Sequence, residues 1–456
     1  MKRSLARLAD AMGGELHGAD CAFAAVTTDT RALAAGDVFV ALRGPHFDGH
    51  DFISQAMAAQ CAAVVIARPS EASVAQIRVA DTLQALTRAA ACWRSDFHGQ
   101  VLGVAGANGK TTVKEMLAAI LAKVGTTLAT RGNLNNHIGV PLTLLGMTPQ
   151  HRYAVVEIGS NHPGEVAALC AIARPQIGLI TNAGEEHLEG FGSLEGAARA
   201  EGEMVATLPA DGTAVLNADD AFYAMWVGMT AARVVSFGLC AQAQFRASDI
   251  RYAIDAAGFD TRFRLRTPAG DAEVQLRLAG EHNVRNALAA AAAASVAGVD
   301  PECIVAGLAA MRPVSGRLNA LVRPAGGYLI DDSYNANPSS VRAAIDVLAQ
   351  LPGRHWLAFG EMGELGAFAA DAHVEMGEYA RGHGIERLFA VGEHARRTVA
   401  AFGAGAEWFG DTSSLCDAVA AELRGDVTVL VKGSRSNRLE RVVAALREPS
   451  LQARAG

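Results

Sequence analysis

The stretch VLGVAGANGKTTVKEMLAAILAKVG, residues 101–125, decides the fold of this chain. A short apolar strand ends near Ala105, a glycine-rich turn follows, and a helix then spaces its apolar residues as one buried face. Glycines let backbone N–H groups approach phosphate oxygens, and the helix N-terminus adds partial positive charge. The segment therefore predicts a phosphate site in which Lys110 reaches the β- and γ-phosphates and the Thr111 hydroxyl coordinates Mg²⁺.

This loop departs from the common spacing GxxxxGK[ST], because position 104 is valine and the glycines stand at 103, 106 and 109. An incidental glycine-rich turn is the alternative interpretation. Strand, turn, Lys-Thr-Thr and amphipathic helix all agree, however, so we interpret the segment as an ATP site. The residues predicted to bind nucleotide here are Gly106, Ala107, Asn108, Gly109, Lys110, Thr111 and Thr112.

Outside this loop, short apolar runs alternate with helical patterns over most of the 456 residues. That alternation predicts α/β architecture with largely parallel sheets, except in residues 245–278, where polar and apolar residues alternate and antiparallel strands are expected. At roughly 150 residues per domain, the length fits three domains. We place them at residues 1–82, 83–312 and 313–456.

Composition excludes several classes of protein. The net charge of −7 argues against general binding to nucleic acid or to an anionic membrane surface. The longest apolar run, residues 287–299, is too short for a membrane span, and the N-terminus lacks the apolar region of a signal peptide. Seven scattered cysteines without a CxxC pair predict reduced thiols and a cytoplasmic location.

Two further strands end in groups suited to a metal ion. AVVEIGSNHPGEV, residues 154–166, places Glu157 at a strand end, and IGLITNAGEEHLEGFGS, residues 177–193, delivers Asn182 and His187 to the same edge. Ligands of open α/β sheets bind beyond the carboxyl ends of the strands, where a carboxylate and an imidazole can hold Mg²⁺ on ATP phosphates. Taken singly, a structural histidine and an ordinary glutamate remain the alternatives.

The pattern G-x-N-G-K-T-T, together with Glu157 and His187, resembles the Mur ligases and their relatives, the folylpolyglutamate synthetases. The segments EIGSN, HLEGFGS and DDSYNANP resemble in particular the branch that adds D-alanyl-D-alanine. Matching segments occur in order along essentially the whole chain. The resemblance implies a small N-terminal α/β domain, a central P-loop-type ATPase domain with a parallel sheet, and a C-terminal Rossmann-like domain.

The same resemblance implies the reaction. An ATP-dependent, ADP-forming ligase of this branch joins D-alanyl-D-alanine to UDP-MurNAc-tripeptide through an acyl-phosphate, in peptidoglycan precursor synthesis. ATP and Mg²⁺ are then the cofactors, and a monomer is the expected assembly. Another amino-acid ligase of the superfamily, adding the third residue or resembling folylpolyglutamate synthetase, is the alternative.

Residue roles follow from the resemblance position by position. The implied catalytic residues are Lys110, Glu157, His187 and Arg317, and those for the metal are Thr111, Glu157, His187 and Glu201. The motif in LAGEHNVRNA suggests Asn283 and Asn286 for adenine, although capping of a helix by Asn283 is an equal alternative. Arg317 is implied for the phosphates and Asp332 for the ribose.

The substrate-binding residues are the least constrained. In the N-terminal segment they are Thr30, Arg31, Gly44, Phe47, Asp48, Gly49 and His50, and in the C-terminal segments Asn335, Asn337, Lys432 and Ser434. Two positions depart from the family pattern. Glu186 stands where alanine is frequent, and Glu201 stands where lysine, commonly carbamylated, is usual. We expect Glu201 to supply a permanent carboxylate for a second metal ion, with a solvated helix carboxylate as the alternative.

Overall fold

The computed structural model describes residues 3–323 and 326–447, so the extreme ends of the first and third predicted domains lie outside it. Three sheets follow one another along the chain, each flanked by helices. The expected α/β class is confirmed. Within the described residues, every helix is too short or too polar to span a lipid bilayer.

The N-terminal sheet has five strands in the order β1-β5-β4-β3-β2, all parallel except the β1–β5 pair. Helices cover it, and a 3₁₀ helix at Gly49–Phe52 precedes the second of them. Its elements are α1 (Leu5–Met12), β1 (Glu15–His17), β2 (Val26–Thr27), β3 (Val38–Val40), α2 (Ile53–Ala58), β4 (Ala63–Ile66) and β5 (Ala75–Arg78).

The central sheet has nine strands in the order β14-β13-β12-β11-β10-β9-β6-β8-β7. Strands from β7 to β12 pair in parallel, whereas β12, β13 and β14 pair antiparallel, as the alternating pattern of residues 245–278 predicts. The elements are α3 (Thr82–Ser95), β6 (Gln100–Ala105), α4 (Lys110–Leu121), β7 (Thr127–Ala129), α5 (Gly139–Leu145), β8 (Tyr153–Glu157), α6 (Glu165–Ala173), β9 (Ile177–Ile180), α7 (Leu188–Phe191), α8 (Leu194–Ala206), β10 (Thr213–Asn217), α9 (Tyr223–Met229), β11 (Arg233–Gly238), β12 (Phe245–Asp255), β13 (Gly258–Thr267), β14 (Gly270–Leu276), α10 (Glu281–Val296) and α11 (Pro301–Ala310).

The C-terminal sheet has six strands in the order β15-β16-β20-β17-β18-β19, parallel except for the β15–β16 pair. Two 3₁₀ helices lie at Gly366–Phe368 and Arg435–Asn437. The elements are β15 (Asn319–Val322), β16 (Tyr328–Asp332), α12 (Pro338–Ala349), β17 (Arg354–Gly360), α13 (Ala369–Gly382), β18 (Arg387–Val391), α14 (Ala395–Phe402), β19 (Ala406–Phe409), α15 (Thr412–Glu422), β20 (Val427–Lys432) and α16 (Glu440–Arg447).

The N-terminal and central sheets share one hydrophobic core. Buried residues from 5 to 232 form a single cluster in which Trp93 of α3 packs beside Phe23. Buried Arg94, also on α3, donates to the carbonyl oxygens of Ala173 at 2.7 Å and Arg174 at 2.8 Å, which closes the end of α6. Helix α3 therefore joins the first two sheets, and the proposed boundary at residue 82 stays a prediction.

Candidate active site

The phosphate loop joins β6 to α4 and contains two glycines whose backbone other residues adopt with strain. Gly106 has φ +121° and Gly109 has φ +85°. A side chain at Gly106 would overlap the Thr181 hydroxyl, and one at Gly109 would overlap the Asn286 amide. Both positions therefore require glycine for conformation and for space.

Lys110 begins α4 and turns back over the loop. Its ammonium donates to the carbonyl oxygens of Gly106 at 2.5 Å and Ala107 at 3.0 Å, and it lies 3.4 Å from Glu186 Oε2. Burial opposes its charge, but the carboxylates of Glu186, Glu201 and Glu157 raise the pKa of Lys110 above its ordinary value. It therefore carries a fixed positive charge at the loop.

Glu157, the last residue of β8, lies behind the first turn of α4. Its Oε1 accepts from the Thr111 hydroxyl at 3.2 Å and from Asn135 Nδ2 at 2.8 Å. Its Oε2 is buried without a hydrogen-bond partner, and the ammonium of Lys114 lies 3.7 Å away. One carboxylate oxygen thus keeps unused capacity to accept a proton donor or a cation.

His187 stands between β9 and the short helix α7 with φ +52°, a backbone conformation that non-glycine residues rarely adopt and that is frequent at functional sites. Its Nε2 lies 3.2 Å from Glu186 Oε1 and its Nδ1 lies 2.5 Å from Glu364 Oε2. Burial disfavours the imidazolium, but bonding to these two carboxylates raises the pKa of His187 to about 9.

The donor set suits magnesium better than a softer metal. Mg²⁺ prefers oxygen ligands, keeps several waters and takes phosphate oxygens, so the Thr111 hydroxyl and the unpartnered oxygen of Glu157 fit it. In the described part of the chain, no group of three His, Cys, Asp or Glu residues is arranged to enclose a metal ion by itself. The phosphates would complete the coordination.

The C-terminal domain closes over this loop. Arg317 donates to the Thr111 hydroxyl at 3.1 Å, and its guanidinium lies 4.5 Å from the centre of the Tyr334 ring. Asn108 donates to Ser339 Oγ at 3.0 Å and accepts from Asn337 Nδ2 at 2.9 Å. The two domains thus meet at the loop itself.

A cavity of about 760 Å³ lies between the domains at the carboxyl ends of their strands. Ligands bind at this edge of open α/β sheets. The cavity brings together the predicted residues Ala107, Asn108, Gly109, Lys110, Thr111, Thr112, Glu157, His187, Asn283, Asn286, Arg317, Asp332, Asn335, Asn337 and Lys432.

The start of α10 presents two buried amides to the cavity, from Asn283 and Asn286. Asn283 Nδ2 donates to the Ala279 carbonyl at 2.8 Å and lies 3.1 Å from His282 Nε2, and its Oδ1 accepts from Asn286. Burial lowers the pKa of His282 to about 4. The neutral ring therefore accepts from Asn283, and no side-chain cap is formed at the start of this helix.

Asp332 ends β16 and Lys432 ends the neighbouring strand β20, so the two side chains meet at 2.6 Å. Burial raises the pKa of Asp332 although Lys432 opposes that shift. Asp331 does not line the cavity; it accepts from the backbone of Gly316 at 3.1 Å. Of the two aspartates, Asp332 is the one that lines the cavity.

Three other predicted residues lie next to the cavity without lining it: Gly106, Glu201 and Ser434. Glu201 Oε2 accepts the Gly106 N–H at 2.7 Å, and Ser434 Oγ accepts the Gly363 N–H at 2.7 Å. Burial raises the pKa of Glu201 to about 7. The alternative of a solvated carboxylate is wrong, because Glu201 is only 5% exposed.

The N-terminal candidates do not line the cavity. They lie on the loops that follow β2 and β3, two parallel neighbours, and so share one edge of their own sheet. Thr30 donates to Gln55 at 3.1 Å, and His50 Nδ1 lies 2.6 Å from Asp48. The other members of this group are Arg31, Gly44, Phe47 and Gly49, with Phe47 exposed.

The sequence patterns did not indicate several of the cavity residues. These come from the segment between β7 and α5, from the loop after β8, from α10 and from the C-terminal domain: Asn133, Asn135, Asn136, His137, Ser160, Arg285, Tyr334 and Glu364. The polar run GNLNNH, residues 132–137, was the available signal, since its four polar side chains between a strand and a helix indicate an exposed or ligand-facing loop.

Comparison with known proteins decides the family. The Mur ligase middle domain matches residues 104–294, the glutamate ligase domain of Mur ligases residues 316–435, and the Mur ligase family catalytic domain residues 22–94. A UDP-N-acetylmuramoyl-tripeptide–D-alanyl-D-alanine ligase of Escherichia coli is 44% identical over 98% of this chain and 98% of its own length. The chain belongs to the Mur ligase family.

Solved structures agree with that assignment. MurF from Acinetobacter baumannii superposes with a TM-score of 0.89 at 34% identity, covering 98% of this chain and 99% of its own. The MurF ligase of Thermotoga maritima in complex with ADP gives a TM-score of 0.81 at 27% identity, covering 94% and 98%. The resemblance to Mur ligases and the three-part fold it implied are confirmed.

Proposed function

We propose that this Mur ligase joins D-alanyl-D-alanine to UDP-MurNAc-tripeptide at the expense of ATP, releasing ADP and phosphate. The observation that carries the proposal is the convergence of Lys110, Glu157, His187 and Arg317, from two domains, on one cavity. The E. coli relative that matches nearly the whole chain is named for this reaction. A ligase resembling folylpolyglutamate synthetase or adding the third residue is not favoured for the same reason.

The cavity suits the first step, phosphoryl transfer. The terminal carboxylate of the tripeptide attacks the γ-phosphorus, the bond from γ-phosphorus to the bridging oxygen breaks, and ADP leaves. Lys110 and Arg317 place positive charge at the loop where negative charge spreads over the transferred group. We propose that Thr111 and Glu157 hold Mg²⁺, which would neutralise phosphate charge when bound, and that His187 joins them after releasing the proton that its two carboxylate partners favour.

Amide formation is the second step. The amine of D-alanyl-D-alanine attacks the acyl carbon and loses a proton, and the bond from that carbon to the phosphate oxygen breaks. Water would hydrolyse the acyl-phosphate before the amine could attack it. The contacts between Asn108 and the start of α12 close the cleft and so favour amide formation over hydrolysis.

We further propose where the substrates bind. Asn283 and Asn286 contact the adenine, Asp332 the ribose, and Gly106 to Thr112 the phosphates. Asn335, Asn337, Lys432 and Ser434 contact the peptide parts. The loops that carry Thr30, Arg31, Gly44, Phe47, Asp48, Gly49 and His50 bind the UDP moiety.

Location and assembly stay proposals as well. We propose a cytoplasmic enzyme, because its seven cysteines are all free thiols and its substrates are a nucleotide and a nucleotide-linked sugar. A monomer remains the prediction for its assembly.

Phosphate release tests the reaction. We expect release only when ATP, UDP-MurNAc-tripeptide and D-alanyl-D-alanine are all present, with lysine- and diaminopimelate-containing tripeptides tried in parallel. Release with ATP alone would indicate a general ATPase. Release with glutamate in place of the dipeptide would indicate another ligase of the superfamily.

A further inference from the structure

Two buried carboxylates flank Lys110 on opposite sides of the phosphate loop. Glu186 and Glu201 both lie close enough to raise the pKa of that lysine. Glu186 lines the cavity, whereas Glu201 does not. One carboxylate therefore lies on the cavity side of the loop and the other lies behind it, on the Gly106 N–H.

Glu186 touches the groups that would surround the phosphates. Its Oε2 lies 3.4 Å from Lys110 Nζ and its Oε1 lies 3.2 Å from His187 Nε2, while its side chain is only 14% exposed. The buried Oε2 of Glu157, on the same cavity, has no hydrogen-bond partner. A hard cation held beside the phosphates would find oxygen donors from both residues.

Glu201 is committed to the backbone. Its Oε2 accepts the Gly106 N–H at 2.7 Å, and the Gly106 carbonyl in turn accepts from Lys110 at 2.5 Å. The carboxylate thus fixes the orientation of one peptide group of the loop. Gly106 has φ +121°, and glycine has no side chain that would restrict the backbone to this conformation. The hydrogen bond from the Gly106 N–H to Glu201 therefore helps to hold it.

We propose that Glu186, rather than Glu201, supplies the second carboxylate for the magnesium ions, and that Glu201 is a positioning residue that holds the Gly106 peptide. This assignment rests on the proposed function, in which Mg²⁺ and ATP share the cavity. It replaces the expected metal role of Glu201 with a role in shaping the loop.

The two glutamates form a matched pair for a test, because Glu186→Gln and Glu201→Gln each replace one carboxyl group near Lys110 by an amide of the same size. The measurement is binding of Mn²⁺ to the enzyme–ADP complex, followed by electron paramagnetic resonance. Loss of a ligand should weaken Mn²⁺ binding at least about tenfold more in Glu186→Gln than in Glu201→Gln. A smaller difference, or a larger loss in Glu201→Gln, overturns the assignment.

A second measurement checks the loop. ADP affinity without metal should fall about tenfold in Glu201→Ala and stay within about threefold in Glu201→Gln, whose amide oxygen still accepts the Gly106 N–H. Equal losses in both variants overturn the positioning role. Glu186→Ala provides a second variant if Glu186→Gln is unstable. Failure of the unmodified enzyme to bind ADP would overturn the proposed function too, whereas normal ADP binding with unchanged Mn²⁺ affinity in the Glu186 variants overturns this assignment alone.

Discussion

The cavity residues and the N-terminal candidates differ in the partners of their side chains. In the cavity, Asn108 bonds to Ser339, 231 positions away, and Arg317 bonds to Thr111, 206 positions away. On the N-terminal loops, Arg31 pairs with Asp29 only two positions away. The cavity exists only when two domains come together, whereas the bonds of the N-terminal loops, such as those of Arg31 to Asp29 and of Thr30 to Gln55, stay within the N-terminal domain.

That difference separates two kinds of functional argument. Chemistry-bearing residues remote in sequence have no structural need to converge, so their meeting at one cavity supports a shared role. The loops at residues 28–31 and 43–50 are bonded within their own domain, and these bonds hold their shape without a ligand. Their role in binding UDP rests on the family resemblance, and mutation is the sharper test for them.

The largest effect is expected at Lys110. Lys110→Ala removes the positive charge nearest the loop carbonyls, so turnover in the phosphate-release assay should fall by at least about 10²–10³-fold. Exposed Lys123, just beyond the same helix, gives the matched control Lys123→Ala, which should keep normal turnover. Near-normal activity in Lys110→Ala, with a normal melting curve, would remove the phosphate-loop assignment.

A smaller but still large effect is expected at Arg317, which carries the contact between the domains. Arg317→Ala should lower kcat about 10²-fold, and Arg317→Lys should recover only part of it, because an ammonium lacks the planar fork that contacts Thr111 and stacks on Tyr334. Arg354→Ala, which breaks an exposed ion pair in the same domain, is the control. Full recovery by lysine would show that charge alone is used.

The N-terminal region should respond in a different parameter. The Arg31 side chain pairs with Asp29 but is 89% exposed, so its remaining guanidinium donors can meet a diphosphate, and Arg31→Ala should raise KM for the UDP-linked substrate about tenfold with little change in kcat. The KM for ATP should stay unchanged, since Arg31 does not line the cavity. A fall in kcat without a change in KM would mean that the N-terminal region takes part in the chemical step. The proposed difference between this region and the cavity would then be wrong.

Sequence reasoning predicts most of the fold because strand and helix patterns are local. Short apolar runs such as residues 63–66 and 388–391 lie in strands, and the alternating segment 245–278 forms an antiparallel meander. Short strands such as Val26–Thr27 were missed, since two residues carry no periodicity. Val26 and Thr27 become a strand through parallel pairing with Val38 and Phe39.

The residues of the candidate site could be predicted only where they belong to a recognisable sequence motif. Lys110, Glu157 and His187 follow strands of one parallel sheet, so their common edge could be inferred from the chain. The role of Glu364 could not, because its contact with His187 depends on how the C-terminal domain docks against the central one. The side of the loop occupied by Glu201 is likewise a tertiary property.

The smallest effect is expected in the stability of the protein, and it concerns Glu201. This residue belongs neither to the cavity residues nor to the N-terminal candidates. Burial raises its pKa from the ordinary 4.5 to about 7, so the folded state holds this proton more tightly than the unfolded state does. The stability contributed by that proton is complete below pH 4.5 and is lost as the pH rises through 7. The loss amounts to roughly 1–3 kcal/mol.

Glu201→Gln removes this titration while keeping an acceptor for the Gly106 N–H. The drop in Tm between pH 5.5 and pH 8 should therefore be smaller in the variant by about 2–5 °C, as measured by differential scanning calorimetry. Glu195→Gln, on the exposed face of the same helix, should retain the full drop. An unchanged drop in Glu201→Gln would mean that the carboxylate is already ionised at pH 5.5. The surroundings of Glu201 would then be as polar as those of the exposed N-terminal loops. The contrast between the buried side chains around the phosphate loop and the exposed N-terminal loops would not hold for this residue.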